Sequence, residues 1–359
     1  MARFEAMTPD RNRAAASMER LGRRGLAQEA FRIEAVKLLR SALSVDAAFF
    51  ASVDPATLLF TSALAEEPLA GVTAQFLENE FARDDVNKFA PLASSPDVVA
   101  SLDGATGGDR THSARFREVL APLGLGDEVR VALTSGGNCW GVLCLHRESS
   151  SFGFDDGELA LLRRLVPYLA GGLRQSVALS AVAPRAGVSA GPGIIILDGD
   201  LSVVSINEEA ERWLADIVEV DWPAHHNLPF ALLATAAQVA GLSQDGAGAP
   251  VPTRLRRRSG GWIAVHASTL DGAGGRHVAV VLDEAGTVQV SSLLLAAHGF
   301  TPAQSRVAAL VVQGRSTRSI MAELHISSNT LQEHLRAVFD KLGIGSRREL
   351  VAVLSGRPR

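Results

Sequence analysis

Gln332 and Arg336 stand four residues apart, so on a helix they share one face. Glutamine matches the N6/N7 edge of adenine, arginine matches O6/N7 of guanine, and Glu333 offers an acceptor to cytosine N4. On the same segment Leu331, Leu335, Val338, Phe339 and Leu342 form one apolar stripe, and Gln332 and Arg336 fall off it. These residue types can hydrogen-bond base edges in a DNA major groove, and the same face also fits a solvated surface helix in a generic bundle.

The elements that would position these side chains are legible around them. Thr301-Pro302-Ala303-Gln304 has the form of a capping box with proline at the first helical position. Its helix runs to Gln313, and Gly314 supplies a left-handed C-cap. Ser316 caps a second helix (TRSIMAELH), Ser327 a third, and a short fourth spans roughly Ser346–Leu354. Four short helices with three Ser/Thr caps and a basic face suit a helix-turn-helix module whose third helix enters the major groove. Charge agrees. The net −4 averages unlike parts: from Ala296 onward nine Lys+Arg face four Asp+Glu, whereas the remainder holds 26 against 35. A basic tail on an acidic body fits a DNA-binding module carried by a regulatory part.

The run from Phe300 to Leu354 resembles the LuxR-type helix-turn-helix. The residues that carry the likeness are Thr301-Pro302, Gly314, Ile320 through Leu324, Ile326-Ser327, Thr330, His334, Lys341-Leu342-Gly343 and Ser346-Arg347. The resemblance implies double-stranded DNA as partner and puts Gln332, Glu333 and Arg336 at the base-facing positions of the recognition helix. Arg315, Arg318, Lys341, Arg347 and Arg348 then become phosphate-contact candidates. His334 is a phosphate donor by analogy or a structural hydrogen-bonding group, and Thr330 touches DNA or only supports the helix start. The chain departs from the family's usual pattern at Gln304 and Arg306, where acidic residues are common. It departs again at Met321, usually alanine, and at Gln332, often lysine.

A length of 359 residues implies two or three domains. The expected fold is multidomain: two α+β sensor domains, then an all-α four-helix module. Residues 1–180 read as helices, a hairpin (VDAAFFASV, TLLFTSAL), helices, a second hairpin joined at Gly136-Gly137, and a long closing helix. CWGVLCLHR followed by FGFDDGELALLRRLVPYLAGGL resembles the last strand and closing helix of a GAF domain. An Ala/Gly/Pro/Ser-rich linker at 181–192 precedes residues 193–290, where GIIILDGDLSVVSINEEAERWL through GGWIAVHAST resembles a PAS domain. Residues 291–359 form the DNA-binding part, and the whole arrangement is similar to actinobacterial regulators.

Other chemistry is weaker. Cys139 and Cys144 lie five apart in one strand, which predicts opposite faces, no disulfide scaffold and a reducing cytoplasm. Cys144 and His146 would share a face, but two ligands do not make a structural zinc site, and a core cysteine is the simpler reading. His225-His226 sits in an irregular stretch, and Arg256-Arg257-Arg258 reads as a solvated charge run, with an anionic ligand or DNA flank as alternatives. No flavin or bilin signature is present, and Asn87-Lys88 lacks the rest of a cyclic-nucleotide motif, so no cofactor is expected. No lysine follows a glycine, so there is no P-loop; Asp245 in a Gly-rich run is a poor phosphoacceptor. No apolar stretch is long enough to span a membrane. The expectation is a cytoplasmic, non-enzymatic, one-component regulator acting as a homodimer under a small-molecule signal, with RNA polymerase as a further partner. The outer helices at 11–43 and 156–180 are the expected dimerisation elements, from amphipathicity. The rivals are a GAF-fold thiol redox protein and a scaffold with a degenerate DNA-binding module.

Overall fold

A computed structural model describes residues 9–149, 151–180, 191–217, 228–241, 252–272 and 275–354. Most of the linker at 181–192, the His225-His226 pair and Asp245 lie outside the described residues.

Among the described residues, two five-stranded antiparallel sheets organise the chain. The first runs β2-β1-β5-β4-β3, built from β1 Ala47–Val53, β2 Phe60–Ala65, β3 Val99–Ser101, β4 Leu125–Ser135 and β5 Asn138–Glu148. The second runs β7-β6-β10-β9-β8, from β6 Gly193–Leu197, β7 Val203–Ile206, β8 Thr253–Arg256, β9 Trp262–Gly272 and β10 Gly275–Glu284. The two sheets therefore share one strand order. Gly136 and Gly137 join β4 to β5 with φ of 62° and 76°, the paired left-handed conformation of a tight hairpin turn.

Alternation along β4 and β5 gives the first sheet two unlike faces. Val129, Val131, Leu133, Leu143 and Leu145 pack against helices Pro9–Gly22, Gln28–Ala42 and Asp156–Ser180. The opposite face carries Glu128, Arg130, Cys144 and His146, with Phe49 and Ala51 of β1. Helices Thr73–Ala82 and Phe89–Ala93 cover it, together with a helix from the other unit, Phe230–Gly241. Two expectations change here. Cys139 and Cys144 fall in the same buried cluster, because Leu133 pairs with Gly141 and Thr134 with Cys139, leaving Trp140 as the extra residue of a bulge that resets the alternation. The amphipathic faces of the outer helices are spent on the chain's own core: Met18, Phe31, Leu39, Leu162, Leu165, Leu169 and Leu173 are all buried there. Their amphipathicity is thus no argument for dimerisation.

A connector helix, Thr287–Ala297, leads from β10 into four short helices: Pro302–Val312, Thr317–Leu324, Ser328–Leu342 and Arg347–Leu354. Leu293 and Leu294 of the connector join the core under the long helix Asp156–Ser180 to the core of the helical domain, including Val307, Leu331 and Leu350. Ser291 Oγ donates to the carbonyl of Leu354 at 2.9 Å, tying the connector to the last helix.

Candidate functional site

Each helix of the C-terminal domain starts where a hydroxyl can satisfy its free amides. Thr301 Oγ1 accepts from the Gln304 amide at 3.2 Å while Gln304 Oε1 accepts from the Thr301 amide at 3.1 Å, a complete capping box. Ser316 Oγ accepts from Ser319 N, and Ser327 Oγ from Thr330 N, at 3.2 and 3.1 Å. Gly314 and Gly343 terminate their helices at φ of 78° and 61°. His325 also takes the left-handed conformation, at φ 52°, in the turn before the recognition helix.

Ser328–Leu342 presents two faces. Leu331, Leu335 and Val338 are buried, with Phe339 and Leu342 packed against the same core. Gln332, Glu333 and Arg336 are exposed, and among the described residues their side chains hold no hydrogen bond or ion pair. His334 is half-buried, and the Thr330 hydroxyl lies 2.9 Å from Ser327 Oγ, so Thr330 supports the helix start.

The five phosphate candidates divide. Arg315, Arg318 and Arg348 are exposed. Lys341 instead donates to the Gly299 carbonyl and to Gln304 Oε1, both at 2.9 Å, and lies 5.5 Å from the Phe300 ring centroid. It pins the recognition helix to the start of the first helix, and Gln304 does there what an acidic residue would. Arg347 donates to Thr317 Oγ1 at 3.1 Å and to the Arg315 carbonyl at 2.7 Å, fastening the fourth helix to the helix-turn-helix. These two side chains are engaged within the domain.

The mixed face of the first sheet holds a second constellation, one that strand alternation alone did not reveal. Glu128 accepts from Arg115 Nε at 2.9 Å and from Arg130 Nε at 3.1 Å, and Arg130 Nη1 donates to Glu80 Oε2 at 2.6 Å. Burial opposes a charge on Glu128, yet the guanidinium groups of Arg115 and Arg130 hold its carboxyl well below the usual range. Beside this network a small cavity of about 20 Å³ is lined by Phe49, Phe76, Phe230, Arg115, Glu128 and His146. Phe230 comes from the helix of the second unit, with ring centroids 5.5 Å from Phe49 and 5.2 Å from Phe60. Ligand atoms of Glu128, Cys144 and His146 lie within 4.8 Å of one another. Both Glu128 oxygens already serve arginines, and two adjacent cations would repel a metal ion, so the cluster is poorly built to hold one.

Burial lowers the His146 imidazole to a pKa of about 4 from an ordinary 6.5, with Glu128 opposing the shift and Arg130 and Arg115 reinforcing it. The unfolded chain therefore takes up this proton near pH 6.5, the folded chain only near pH 4. Stability should fall as pH drops through that window, by up to about 1.4 kcal/mol per pH unit from this group. Urea midpoints measured across it for the wild type and His146→Gln test this: the variant's slope should be flatter, and equal slopes would reject the assignment.

Among the described residues, no helix is long and apolar enough to cross a membrane. No curated protein matches the chain. Among solved structures, it is similar at 14% identity to a chain described as the Vibrio cholera VqmA-ligand-DNA complex. That similarity spans 46% of this chain and 84% of the other, with a TM-score of 0.25. The E. coli DhaR(N)-DhaL complex is similar at 12% identity over 79% of this chain and 92% of the other, also with a TM-score of 0.25. At those scores neither similarity bears on the fold. The family models are decisive for two segments: the chain carries a GAF domain at residues 29–173 and, at residues 298–354, the DNA-binding helix-turn-helix domain of bacterial regulatory proteins of the luxR family.

Proposed function

We propose that the protein is a one-component transcriptional regulator that binds a specific operator through Gln332, Glu333 and Arg336 and is governed by a small molecule at the GAF domain. The observation that carries the DNA reading is the recognition helix itself. Its apolar stripe is buried, while the three side chains best matched to base edges stand exposed and uncommitted. Arg315, Arg318 and Arg348 would supply the salt-dependent contacts to phosphates, with Lys341 and Arg347 secondary to their structural bonds. Two copies would bind a two-fold operator as a homodimer in the cytoplasm, with RNA polymerase as downstream partner. We take residues 1–180, 193–290 and 291–359 as the three domains and the middle one as PAS-like, with two strands, helices and three strands in that order.

Arg336→Ala should cost about 1–3 kcal/mol on the cognate operator. Fluorescence anisotropy with operators varied one base pair at a time checks it. The loss should be confined to one base position, and an equal loss on every sequence would contradict base reading. Ligand control is supported by the small aromatic cavity beside Phe230, where an occupant larger than a water would have to displace that ring and so move the second unit's helix. The thiol redox alternative is disfavoured, since burial pushes the Cys139 thiol up to about 11 and raises Cys144 as well, whereas a reactive cysteine needs a lowered pKa.

A further inference from the structure

A groove of about 330 Å³ opens where three parts of the chain meet: helix Gln28–Ala42 with β2, strand β8 of the second sheet, and Leu293 of the connector helix. Its size falls within the range of small-molecule sites. Thr253 and Leu255 of β8 are buried, and alternation sends Arg254 and Arg256 to the other face, toward this groove. The wall includes five arginines against the carboxylates of Glu29 and Asp54.

Most of those arginines are committed. Arg254 is ion-paired with Asp54, and Arg257 with Asp216 at 2.7 Å. Arg32 donates to the hydroxyls of Ser52 and Ser62 at 2.8 and 2.6 Å, and Arg258 to the Ile217 carbonyl at 2.9 Å. Arg256 differs. It is half-buried and, among the described residues, holds no hydrogen bond or ion pair. Taking a guanidinium partly out of water without a partner is costly, and burial alone lowers its pKa. Leu64, Trp262 and Leu293 supply apolar surface in the same groove. Glu29 is exposed on its helix and does not neutralise Arg256.

We propose that this groove binds a small organic anion, a carboxylate or phosphate monoester with an apolar body, and that Arg256 is its anchoring cation. The charge run that looked like a solvated surface is partly a wall of this site. A DNA flank fits less well, because Arg32 and Arg254 are each only 4% exposed and a duplex backbone cannot enter a concave site of this volume. An occupant would touch the GAF domain, the second unit and the connector helix at once.

Isothermal titration of the full chain with hexanoate, phenylacetate and phenyl phosphate, against hexan-1-ol and inorganic phosphate, tests the assignment and separates the two anion types. At least one organic anion should bind with 1:1 stoichiometry while the neutral alcohol and bare phosphate do not. Arg256→Gln should weaken that binding roughly ten- to a hundredfold, as expected for loss of one charge-assisted contact. Its melting temperature without ligand should stay near wild type, since Arg256 has no native partner to lose. Failure of all three anions to bind by about 10 mM, where affinity is negligible, would overturn the proposal. So would equal binding by Arg256→Gln. A drop in operator affinity of Arg256→Gln with no anion present would assign the residue to DNA instead.

Discussion

Arg130→Met is expected to destabilise the GAF domain by about 3–5 kcal/mol, the range seen when one partner of a buried charge network is removed. Arg130 is fully buried on the mixed face of the first sheet. It bridges Glu80 and Glu128 at 2.6 and 3.1 Å, and its guanidinium lies 4.6 Å from the Phe89 ring centroid. Without it Glu80 and Glu128 remain buried, and only Arg115 is left to answer the second of them. Methionine replaces most of the volume, so the loss reads charge rather than a cavity. Glu80→Gln added to Arg130→Met removes the stranded charge while Gln Oε1 can still accept from the Phe89 amide, as Glu80 does at 2.8 Å. The double variant should recover at least about 1 kcal/mol of the loss, because a neutral side chain at position 80 avoids the uncompensated charge. Urea denaturation followed by circular dichroism measures both. A single-variant loss below about 1 kcal/mol, the scale of an exposed ion pair, would show that the network contributes little to folding.

The same network shows what was and was not legible in the sequence. Local signals were enough for the C-terminal domain: Thr301, Ser316 and Ser327 each cap the helix whose start they mark, and Gly314 ends the first. The apolar stripe from Leu331 to Val338 then decided which face stayed outside. Both hairpins of the first sheet and its closing helix were equally readable, since period and turn residues are local properties. What failed depends on chain segments far apart. Nothing local marks Arg130 and Glu128 as buried, because their cover, including Phe230, arrives from about 100 residues away. The bulge at Trp140 moved Cys139 across the sheet with no glycine or proline at that residue to announce it. Lys341 carries charge suitable for phosphate, and only the fold reveals the Gly299 carbonyl and Gln304 amide that hold it.

Asp54→Ala should loosen the join between the GAF domain and everything after it. Asp54 sits just past β1 with its side chain fully buried, and it receives Arg254 of β8 through the backbone amide at 3.0 Å, through Nε at 2.7 Å and through Nη2. The remaining Arg254 nitrogen, Nη1, donates to the Gln289 carbonyl at 2.6 Å and to Ser292 Oγ at 2.8 Å, both on the connector helix. One guanidinium thus clasps the first sheet, the second sheet and the helix leading to the DNA-binding domain. Alanine at 54 leaves that cation buried with only a carbonyl and a hydroxyl, at a cost of about 3–5 kcal/mol. Part of the cost can be relieved by separation of the units, which lets water reach Arg254. The expected signature is therefore a lower unfolding midpoint together with faster amide exchange in the connector helix Thr287–Ala297, whose Ser291 also holds Leu354 of the last helix. Arg254→Met alone strands Asp54 and should behave similarly, whereas Asp54→Leu with Arg254→Met replaces the pair by apolar contact and should restore most of the stability. Restored stability with exchange in the connector still fast would show that the ion pair couples the units; exchange unchanged in Asp54→Ala would show that Leu293 and Leu294 hold the connector without it.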